Sequence, residues 1–389
     1  MSAIDLNGGV TGVLYCTDTL MAGGTERQLV QLITRLDRAR FDPQVICLQG
    51  QHGGLSLHFA PQLQAVNVPL HIFNLGWTPI DIARSMLRTA KVAWLVRPHI
   101  IHAVNHHSNH ITRLIRPILP HSLRLITSVP TEFNMRQLLY ERLEQWACDA
   151  IVCISPYLKQ RVIEQSRVSA EKVFYIPIGL DIAKFSSNTT PDFRSQIVPS
   201  GSRVILVIGR ITKQKSPHLL AQAIGLLKER GQLPTQVYVV IVGERENAIL
   251  QAQLDDTVRA YSLEGVVRQF PQTSQPEVFY HAADFVVLAS LWEGVPNVAL
   301  ESLASGRPVI ISEAANVSGL IEQDKTGWIV RTGNIEHLAE TLRVVLSLPT
   351  EMLASMRPDC LERVKDYALP LMIERYTALY DRLCAMPRP

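Results

Sequence analysis

The stretch Ser290-Leu-Trp-Glu-Gly-Val-Pro-Asn-Val-Ala-Leu-Glu-Ser-Leu-Ala-Ser-Gly-Arg-Pro-Val309 contains a turn, a helix and the start of a strand. Pro296 suits the first helical turn, because the N–H group that proline lacks would have no helical partner there. Gly306 is placed to end the helix, and the apolar residues Val309 to Ile311 predict a buried strand. A helix that leads into a buried strand is typical of parallel α/β sheets.

Two glutamates flank the start of this helix. Glu293 lies in the preceding loop, and Glu301 projects from within the helix. The N–H groups between them favour an anion, because the first N–H groups of a helix lack backbone partners. An anion site between two carboxylates suits a diphosphate with a hydroxyl-rich sugar on each side, as in a nucleotide sugar. The alternative is a surface glutamate in a turn and a solvated glutamate on an amphipathic helix.

Short apolar runs and amphipathic segments alternate along the rest of the chain. The runs predict strands in two series: Val10–Cys16, Gln44–Leu48, Leu70–Phe73, Ile100–Val104, Leu123–Val129, Ala150–Ile154 and Val173–Ile176, then Val204–Ile208, Gln236–Val242, Val266–Phe270, Phe285–Leu288, Val309–Ile311 and Trp328–Val330. The segments predict helices, among them Thr25–Leu36, Ile80–Val96, Asn134–Cys148, Pro217–Glu229, Ala248–Tyr261, Ile335–Leu348 and an interrupted one over Leu361–Cys384. This alternation predicts βαβ units and a parallel sheet in each half, joined by the polar linker Ser186–Pro191.

The composition describes a globular chain of about two domains. Its 389 residues are 47% hydrophobic and 19% charged, which excludes a disordered protein. The net charge of +3 is too small to imply nucleic acid. The cysteines include no Cys-x-x-Cys pair, which predicts reduced thiols in a cytoplasmic protein. Residues 1–10 lack a signal-peptide pattern, and no run approaches the roughly 18 apolar residues of a membrane span.

Basic residues are concentrated between Arg84 and Arg142, where only Glu132 and Glu141 oppose them. The basic set is Arg84, Arg88, Lys91, Arg97, Arg113, Arg116, Arg124, Arg136 and Arg142. Apolar residues are interleaved with it, namely Trp94, Leu95, Leu114, Ile115, Leu138 and Leu139. This pattern predicts peripheral association with an anionic membrane. The alternative is a set of ordinary solvated helix faces whose apolar sides lie in the core.

Two further loops follow predicted strands and are candidates to contact phosphate. In Gly23-Gly-Thr-Glu26, the glycines allow the backbone to approach a ligand, and Thr25 is a candidate helix cap. The alternative is a plain glycine turn. In the loop from Gly209 to Pro217, Arg210 and Lys215 suit a diphosphate, while Lys213 shares that role or is solvated. The dinucleotide fingerprint Gly-x-Gly-x-x-Gly is absent, which argues against a nicotinamide enzyme.

Together these motifs resemble the retaining glycosyltransferases of glycosyltransferase family 4, also called glycosyl transferases group 1. The matching segments are Gly23–Glu26, His102, Ile176–Phe185, Gly209–Lys215, Glu293–Val309 and Asp324–Trp328. The resemblance covers most of the chain. It implies the GT-B fold, in which two doubly wound Rossmann-like α/β domains face a central cleft and the C-terminal helix crosses back to the first domain. The implied domains are residues 1–185 with 365–389, which bind the acceptor, and residues 186–364, which bind the nucleotide sugar.

The resemblance also implies residue roles. Glu301 is expected to hydrogen-bond the donor ribose, and Glu293 to lie near the sugar and phosphate. Arg210 and Lys215 are expected to neutralise the diphosphate in place of a metal, so no metal or cofactor is expected. The implied donor site is completed by Gly23, Gly24, Gly294, Val295, Pro296, Asn297 and Val298.

The chain departs from the family pattern at two positions. Many members carry a histidine after the strand that corresponds to Leu123–Val129, where this chain has Ser128-Val-Pro-Thr-Glu-Phe133. His107 is the candidate catalytic replacement, and a solvated or capping histidine is the alternative. Gly319 stands where members often have a glutamate, a change that alters sugar contacts or only shifts a turn.

The function implied is retaining transfer of a hexose from a UDP- or GDP-sugar to a glycan or lipid-linked acceptor. The basic first half fits an acceptor at the inner face of a bacterial membrane, in surface polysaccharide synthesis. In retaining members the acceptor attacks from the leaving-group face, and no covalent carboxylate intermediate of the glycosidase kind is required. The alternatives are a nucleotide-sugar-binding subunit without activity and a GT-B epimerase.

Overall fold

The computed structural model describes residues 9–130, 135–187, 190, 193–244 and 247–387, without the side chains of 135–138. The strands are β1 Thr11–Thr17, β2 Phe41–Cys47, β3 Leu70–Ile72, β4 Ile100–Ala103, β5 Arg124–Val129, β6 Ala150–Cys153, β7 Val173–Tyr175, β8 Arg203–Ile208, β9 Val237–Val242, β10 Val267–Phe270, β11 Phe285–Leu288, β12 Val309–Ser312 and β13 Gly327–Val330.

The helices occupy the connections between the strands. They are α1 Gly24–Arg35, α2 Ala60–Ala65, α3 Pro79–Val96, α4 His106–Leu114, α5 Met135–Glu144, α6 Pro156–Ser166, α7 Ile182–Ser186, α8 Phe193–Ile197, α9 Pro217–Glu229, α10 Ala248–Ala260, α11 Glu277–Ala282, α12 Asn297–Ala304, α13 Ile335–Ser347, α14 Thr350–Ser355, α15 Arg357–Arg363 and α16 Leu369–Ala385. Among the described residues, no helix combines the length and apolar character that crossing a membrane requires.

The chain divides into two compact units, Met1–Gly179 with Leu369–Pro389 and Leu180–Ala368. The described part of the first unit forms a seven-stranded sheet in the order β3-β2-β1-β4-β5-β6-β7. That of the second forms a six-stranded sheet in the order β10-β9-β8-β11-β12-β13. All the pairings are parallel. Each sheet therefore runs outward in both directions from a central pair of strands, which is the doubly wound topology that the alternation predicted.

Each face of the first sheet has its own core. One core joins α1, α2 and the last helix, with Leu29, Leu63 and Tyr380 buried against alternate residues of the strands. The other joins α3, α4 and α6, represented by Ala93, Ile111 and Leu158. Helix α16 thus completes the first unit, as the resemblance implied.

A buried ion pair fixes α4 in this second layer. Arg113 donates to both carboxylate oxygens of Glu141 at 2.7 Å, and to Thr127 Oγ1 at 2.7 Å. The Arg113 side chain is 2% exposed. A buried charge needs such full pairing, because its desolvation would otherwise be costly. The pair ties the C-terminal end of α4 to α5 and β5.

The predicted strands are all present, with ends that differ from the prediction by at most three residues. Two details of the helix starts were wrong. Pro296 is the N-cap of α12, with ψ of 110°, and the first turn begins at Asn297. Thr25 lies inside α1, whose N-cap is Gly23. Gly306 follows the end of α12 with a φ of 70°, a value that favours glycine, so this helix ends where the sequence predicted.

Candidate active site

The second sheet has its switch point between β8 and β11. These strands are neighbours, and the chain leaves them toward opposite edges of the sheet. The carboxyl ends at such a point leave a crevice between two loops, where doubly wound sheets bind ligands. The loop after β8 contains Arg210 and Lys215, and the loop after β11 contains Glu293. The topology therefore brings together two segments that lie far apart in the sequence.

A salt bridge joins the two loops. Lys215 Nζ lies 2.6 Å from Glu293 Oε1, and the two side chains are 20% and 10% exposed. Gln214 adds two hydrogen bonds between the loops. Its side-chain amide donates to the Trp292 backbone carbonyl at 2.9 Å, and its backbone carbonyl accepts from the Leu291 N–H at 2.8 Å. These three links hold the ammonium group in a defined position at the switch point.

Glycines allow the backbone to pack closely beneath this cation. Gly209 has a φ of 136°, and a Cβ atom there would lie 3.6 Å from Lys215 Cε. A Cβ atom on Gly243, which follows β9, would lie 1.9 Å from the Gly209 carbonyl oxygen, so no side chain fits. Arg210 is exposed and, with Lys215, lines a small cavity at the end of β8. The two cations therefore share one side of the crevice.

Helix α12 presents its N-terminus on the other side. Its N-cap, Pro296, makes no side-chain cap hydrogen bond, and the first turn contains no acidic residue. Gly294 and Val295 lead into it, and Val298 lies in the first turn. The first N–H groups of a helix have no helical partner and attract anions. This N-terminus is therefore suited to an anionic ligand.

Glu301 is anchored one turn into the helix. Its side chain accepts a hydrogen bond from the hydroxyl of Tyr280, a fully buried residue, at 2.8 Å. Glu301 is itself only 5% exposed. This excludes the alternative of a solvated glutamate on a surface helix. Tyr280 was not predicted, because the contact joins α11 to α12 and follows no sequence motif.

The first sheet has its switch point between β1 and β4, where a second polar pair lies. Asp18 Oδ2 is 3.0 Å from His107 Nδ1. The same carboxylate accepts the Ser108 N–H at 2.7 Å and the His107 N–H at 3.2 Å, which neutralises the N-terminus of α4. The indole of Trp77 stacks on the imidazole of His107 at 3.8 Å. His107 is thus oriented on two sides and stays 42% exposed.

Glu26 turns back over the start of α1. A Cβ atom on Gly23 would lie 2.1 Å from Glu26 Oε2, so the glycine makes room for this carboxyl group. Glu26 accepts from Thr19 Oγ1 at 2.9 Å, and burial raises the pKa of its carboxyl group. Gly24, the first residue of α1, is exposed beside it. At this switch point the N-terminus of α4 is thus paired with Asp18 and that of α1 with Glu26. By contrast, the first turns of α9 and α12 contain no acidic residue.

His102 is part of a buried network. Its Nδ1 is 2.8 Å from the hydroxyl of Tyr380, and its Nε2 is 2.8 Å from Ser128 Oγ. Burial lowers the pKa of His102 to about 3, which keeps the ring neutral. The ring therefore links the sheet to α16. Residues 131–134, which follow the strand where many members carry a histidine, lie outside the described residues.

Gly319, the second position at which the chain departs from the family pattern, lies in a turn. Gly319 has a φ of 64°, a backbone conformation that favours glycine over glutamate. No atom lies within 4 Å of where its Cβ would be, so backbone conformation and not crowding disfavours other residues. Its carbonyl accepts a hydrogen bond from Arg363.

The basic and apolar residues between Arg84 and Arg142 do not all lie on one exposed surface. Arg113 and Arg124 are 2% and 7% exposed, and each is paired with a carboxylate. Ile115 is 2% exposed and belongs to the core. The sequence prediction that these three residues face a membrane was therefore wrong. Trp94, Leu95, Leu114 and Leu139 are exposed, and the Leu138 side chain is outside the described part.

The two doubly wound parallel sheets in one chain match glycosyltransferase structures of the GT-B fold. A glycosyltransferase from Rickettsia africae superposes with a TM-score of 0.83 at 20% identity, covering 97% of this chain and 100% of that one. Anabaena HepE in complex with UDP gives a TM-score of 0.82 at 17% identity, covering 96% and 100%.

The sequence comparisons give the family. Residues 188–360 match Glycosyl transferases group 1, and residues 22–184 match Glycosyltransferase Family 4. The chain belongs to this glycosyltransferase family. The Escherichia coli UDP-Gal:alpha-D-GlcNAc-diphosphoundecaprenol alpha-1,3-galactosyltransferase is 24% identical over 83% of this chain and 84% of its own length. The D-inositol 3-phosphate glycosyltransferase of Pseudarthrobacter chlorophenolicus is 32% identical over 41% of this chain and 38% of its own length.

Proposed function

We propose that this glycosyltransferase moves a hexose from a UDP- or GDP-sugar to a lipid-linked or glycan acceptor, with retention at the anomeric carbon, in bacterial surface polysaccharide synthesis. The observation that carries the proposal is the Lys215–Glu293 pair at the switch point of the second sheet, with Arg210 on the same cavity. Cations at this position would contact a diphosphate bound at the N-terminus of α12. A UDP-sugar is the donor we favour, since HepE binds UDP and the E. coli relative is named for UDP-Gal.

The cations would act on the leaving group. Breaking the bond between the anomeric carbon and the diphosphate oxygen leaves negative charge on the diphosphate and positive character on the sugar. Lys215 and Arg210 stabilise that negative charge, and cations already in position pay no cost to reorganise during the reaction. Glu293 holds Lys215 in place and lies near the sugar. We expect this arrangement to work without a metal ion.

The other groups would orient the substrates. The Glu301 carboxylate accepts hydrogen bonds from two ribose hydroxyls while Tyr280 fixes its direction. In the retaining reaction the acceptor hydroxyl approaches from the leaving-group face, and a phosphate oxygen takes its proton. His107 contacts the acceptor: Asp18 accepts from its Nδ1–H, which leaves Nε2 as a hydrogen-bond acceptor for the hydroxyl group.

Donor hydrolysis tests the activity before the acceptor is known. The full chain is incubated with UDP- and GDP-hexoses in excess EDTA, and release of the nucleoside diphosphate and the anomer of the sugar are followed by NMR. We expect slow release of the retained anomer. Release of the inverted anomer, or loss of activity with EDTA, would contradict the mechanism.

The same assay separates the alternatives. A thermal shift with UDP or GDP, without hydrolysis or transfer in the presence of lipid-diphosphate sugars, would indicate a binding subunit. Conversion of the donor to a nucleotide plus a free, epimerised sugar would indicate an epimerase. Glu301→Ala serves as the site control, since it removes the ribose contact and should abolish the thermal shift.

A further inference from the structure

Helix α3 of the first unit exposes large apolar side chains that an ordinary surface helix would bury. Its outward side carries Ile80, Leu87, Trp94 and Leu95, which are 64%, 70%, 53% and 78% exposed. Its buried side carries Ser85, Thr89, Ala90 and Ala93. A surface helix normally buries its large apolar residues and exposes polar ones. Here small and hydroxyl side chains are the fully buried ones, Met86 and Val92 pack partly buried beside them, and four large apolar side chains face solvent.

The exposed apolar residues form one stripe. Ile80, Leu87 and Trp94 are spaced by seven residues, which is close to two helical turns, so they lie above one another. Leu95 lies beside Trp94. The indole N–H of Trp94 donates to the Ile118 carbonyl at 3.1 Å, and Ile118, in the short connection after α4, is 57% exposed. The stripe therefore continues onto a neighbouring segment of the same unit.

Cations alternate with the stripe. Arg84 is 61% exposed at its side chain, and Lys91 is exposed one turn before Leu95. Within α3 the one acid is Asp81, whose carboxylate accepts from Thr78 Oγ1 at 2.7 Å and lies 3.7 Å from Arg84. We call this set, Ile80, Arg84, Leu87, Lys91, Trp94 and Leu95, the α3 face.

We propose that the α3 face binds the surface of a bilayer that contains anionic lipids. A helix with an apolar stripe, flanking cations and an interfacial tryptophan lies in the plane of the headgroups. The flanking cations are attracted to the negative surface of anionic lipids, whereas a neutral or cationic partner would give them no such attraction. The inference goes beyond the transferase activity proposed above and does not depend on it.

Vesicle flotation tests this surface. The full chain is mixed with vesicles of phosphatidylcholine alone or of phosphatidylcholine with phosphatidylglycerol. We expect binding to the anionic vesicles that weakens as salt rises. Leu87→Glu/Leu95→Glu should reduce that binding at least about tenfold, because each buried apolar side chain contributes on the order of a decade to the equilibrium constant.

The control is Ile249→Glu, at a position 80% exposed on α10 of the second unit. It should bind vesicles like the unchanged chain. Equal binding by the double variant, equal loss in the control, or no binding of the unchanged chain would overturn the proposal. A dimer in vesicle-free solution that the double variant abolishes would assign the face to a second copy. Donor hydrolysis should be unchanged in the double variant, so a failure of the transferase proposal stays distinguishable.

Discussion

Removal of the Lys215 charge gives the sharpest test of the candidate active site. Lys215→Met keeps the length of the side chain and removes the ammonium group that lies 2.6 Å from Glu293. A unit charge about 4 Å from a phosphate oxygen contributes about 4 kcal/mol at an effective dielectric constant near 20. Part of that attraction exists in the ground state, so we expect kcat to fall by about 10²–10³-fold. The pair is mostly buried and Glu293 would lose its partner, so the free energy of unfolding should also fall by about 1–3 kcal/mol.

The matched control lies in the same loop. Lys213→Met removes the same charge from an exposed side chain two residues earlier. The assay is steady-state release of the nucleoside diphosphate, with thermal unfolding measured on each protein. We expect Lys213→Met to retain its rate. A kcat for Lys215→Met within about threefold of the Lys213→Met value would refute the assignment, since a transition-state interaction must appear in kcat.

Three further changes probe other parts of the molecule. Tyr280→Phe removes the donor to Glu301, and we expect the KM for the nucleotide sugar to rise about tenfold with kcat nearly unchanged, measured by initial rates. Gly243→Ala places a methyl group against the carbonyl of the loop after β8 and should destabilise the second unit by about 2–4 kcal/mol in urea unfolding, whereas Gly265→Ala, which meets no atom within 4 Å, should not. His102 has a pKa of about 3 in the folded chain, so it takes up a proton mainly when the chain unfolds. The free energy of unfolding should therefore fall by about 1.4 kcal/mol per pH unit below about pH 6. His102→Gln should reduce that slope in unfolding measured from about pH 7 to 5.

The fold could be predicted because it depends on local pattern. Short apolar runs flanked by turn residues mark each strand of the two sheets, and the order of a doubly wound sheet follows from the alternation with helices. The positions of Gly209, Lys215 and Glu293 near the ends of strands also follow from that pattern. Pro296 was misplaced by one residue, because proline is compatible with both the N-cap and the first turn.

The pairings within the sites could not be predicted. Asp18 reaches His107 across 89 residues, and Lys215 reaches Glu293 across 78, so each contact depends on which strands become neighbours. The charge of Arg113 suggests a surface residue, yet Glu141 allows it to be buried. Composition gives no signal for such a pair, because a buried arginine and a solvated one look alike in a sequence. The exposure of the large apolar residues of α3 was indicated in the sequence only by their unusual mixture with arginines.

The position of α16 in the first unit has a consequence for the order in which the chain is made. Domains generally fold as they emerge from the ribosome. The second unit, Leu180–Ala368, is synthesised completely before α16 appears. Until then one face of the first sheet is covered only by α1 and α2, and Tyr15 and His102 lack the hydroxyl of Tyr380 that they contact. The half of the protein that is synthesised first is thus the last to be finished, and a nascent chain stalled near its end would hold a complete second unit beside an incomplete first one.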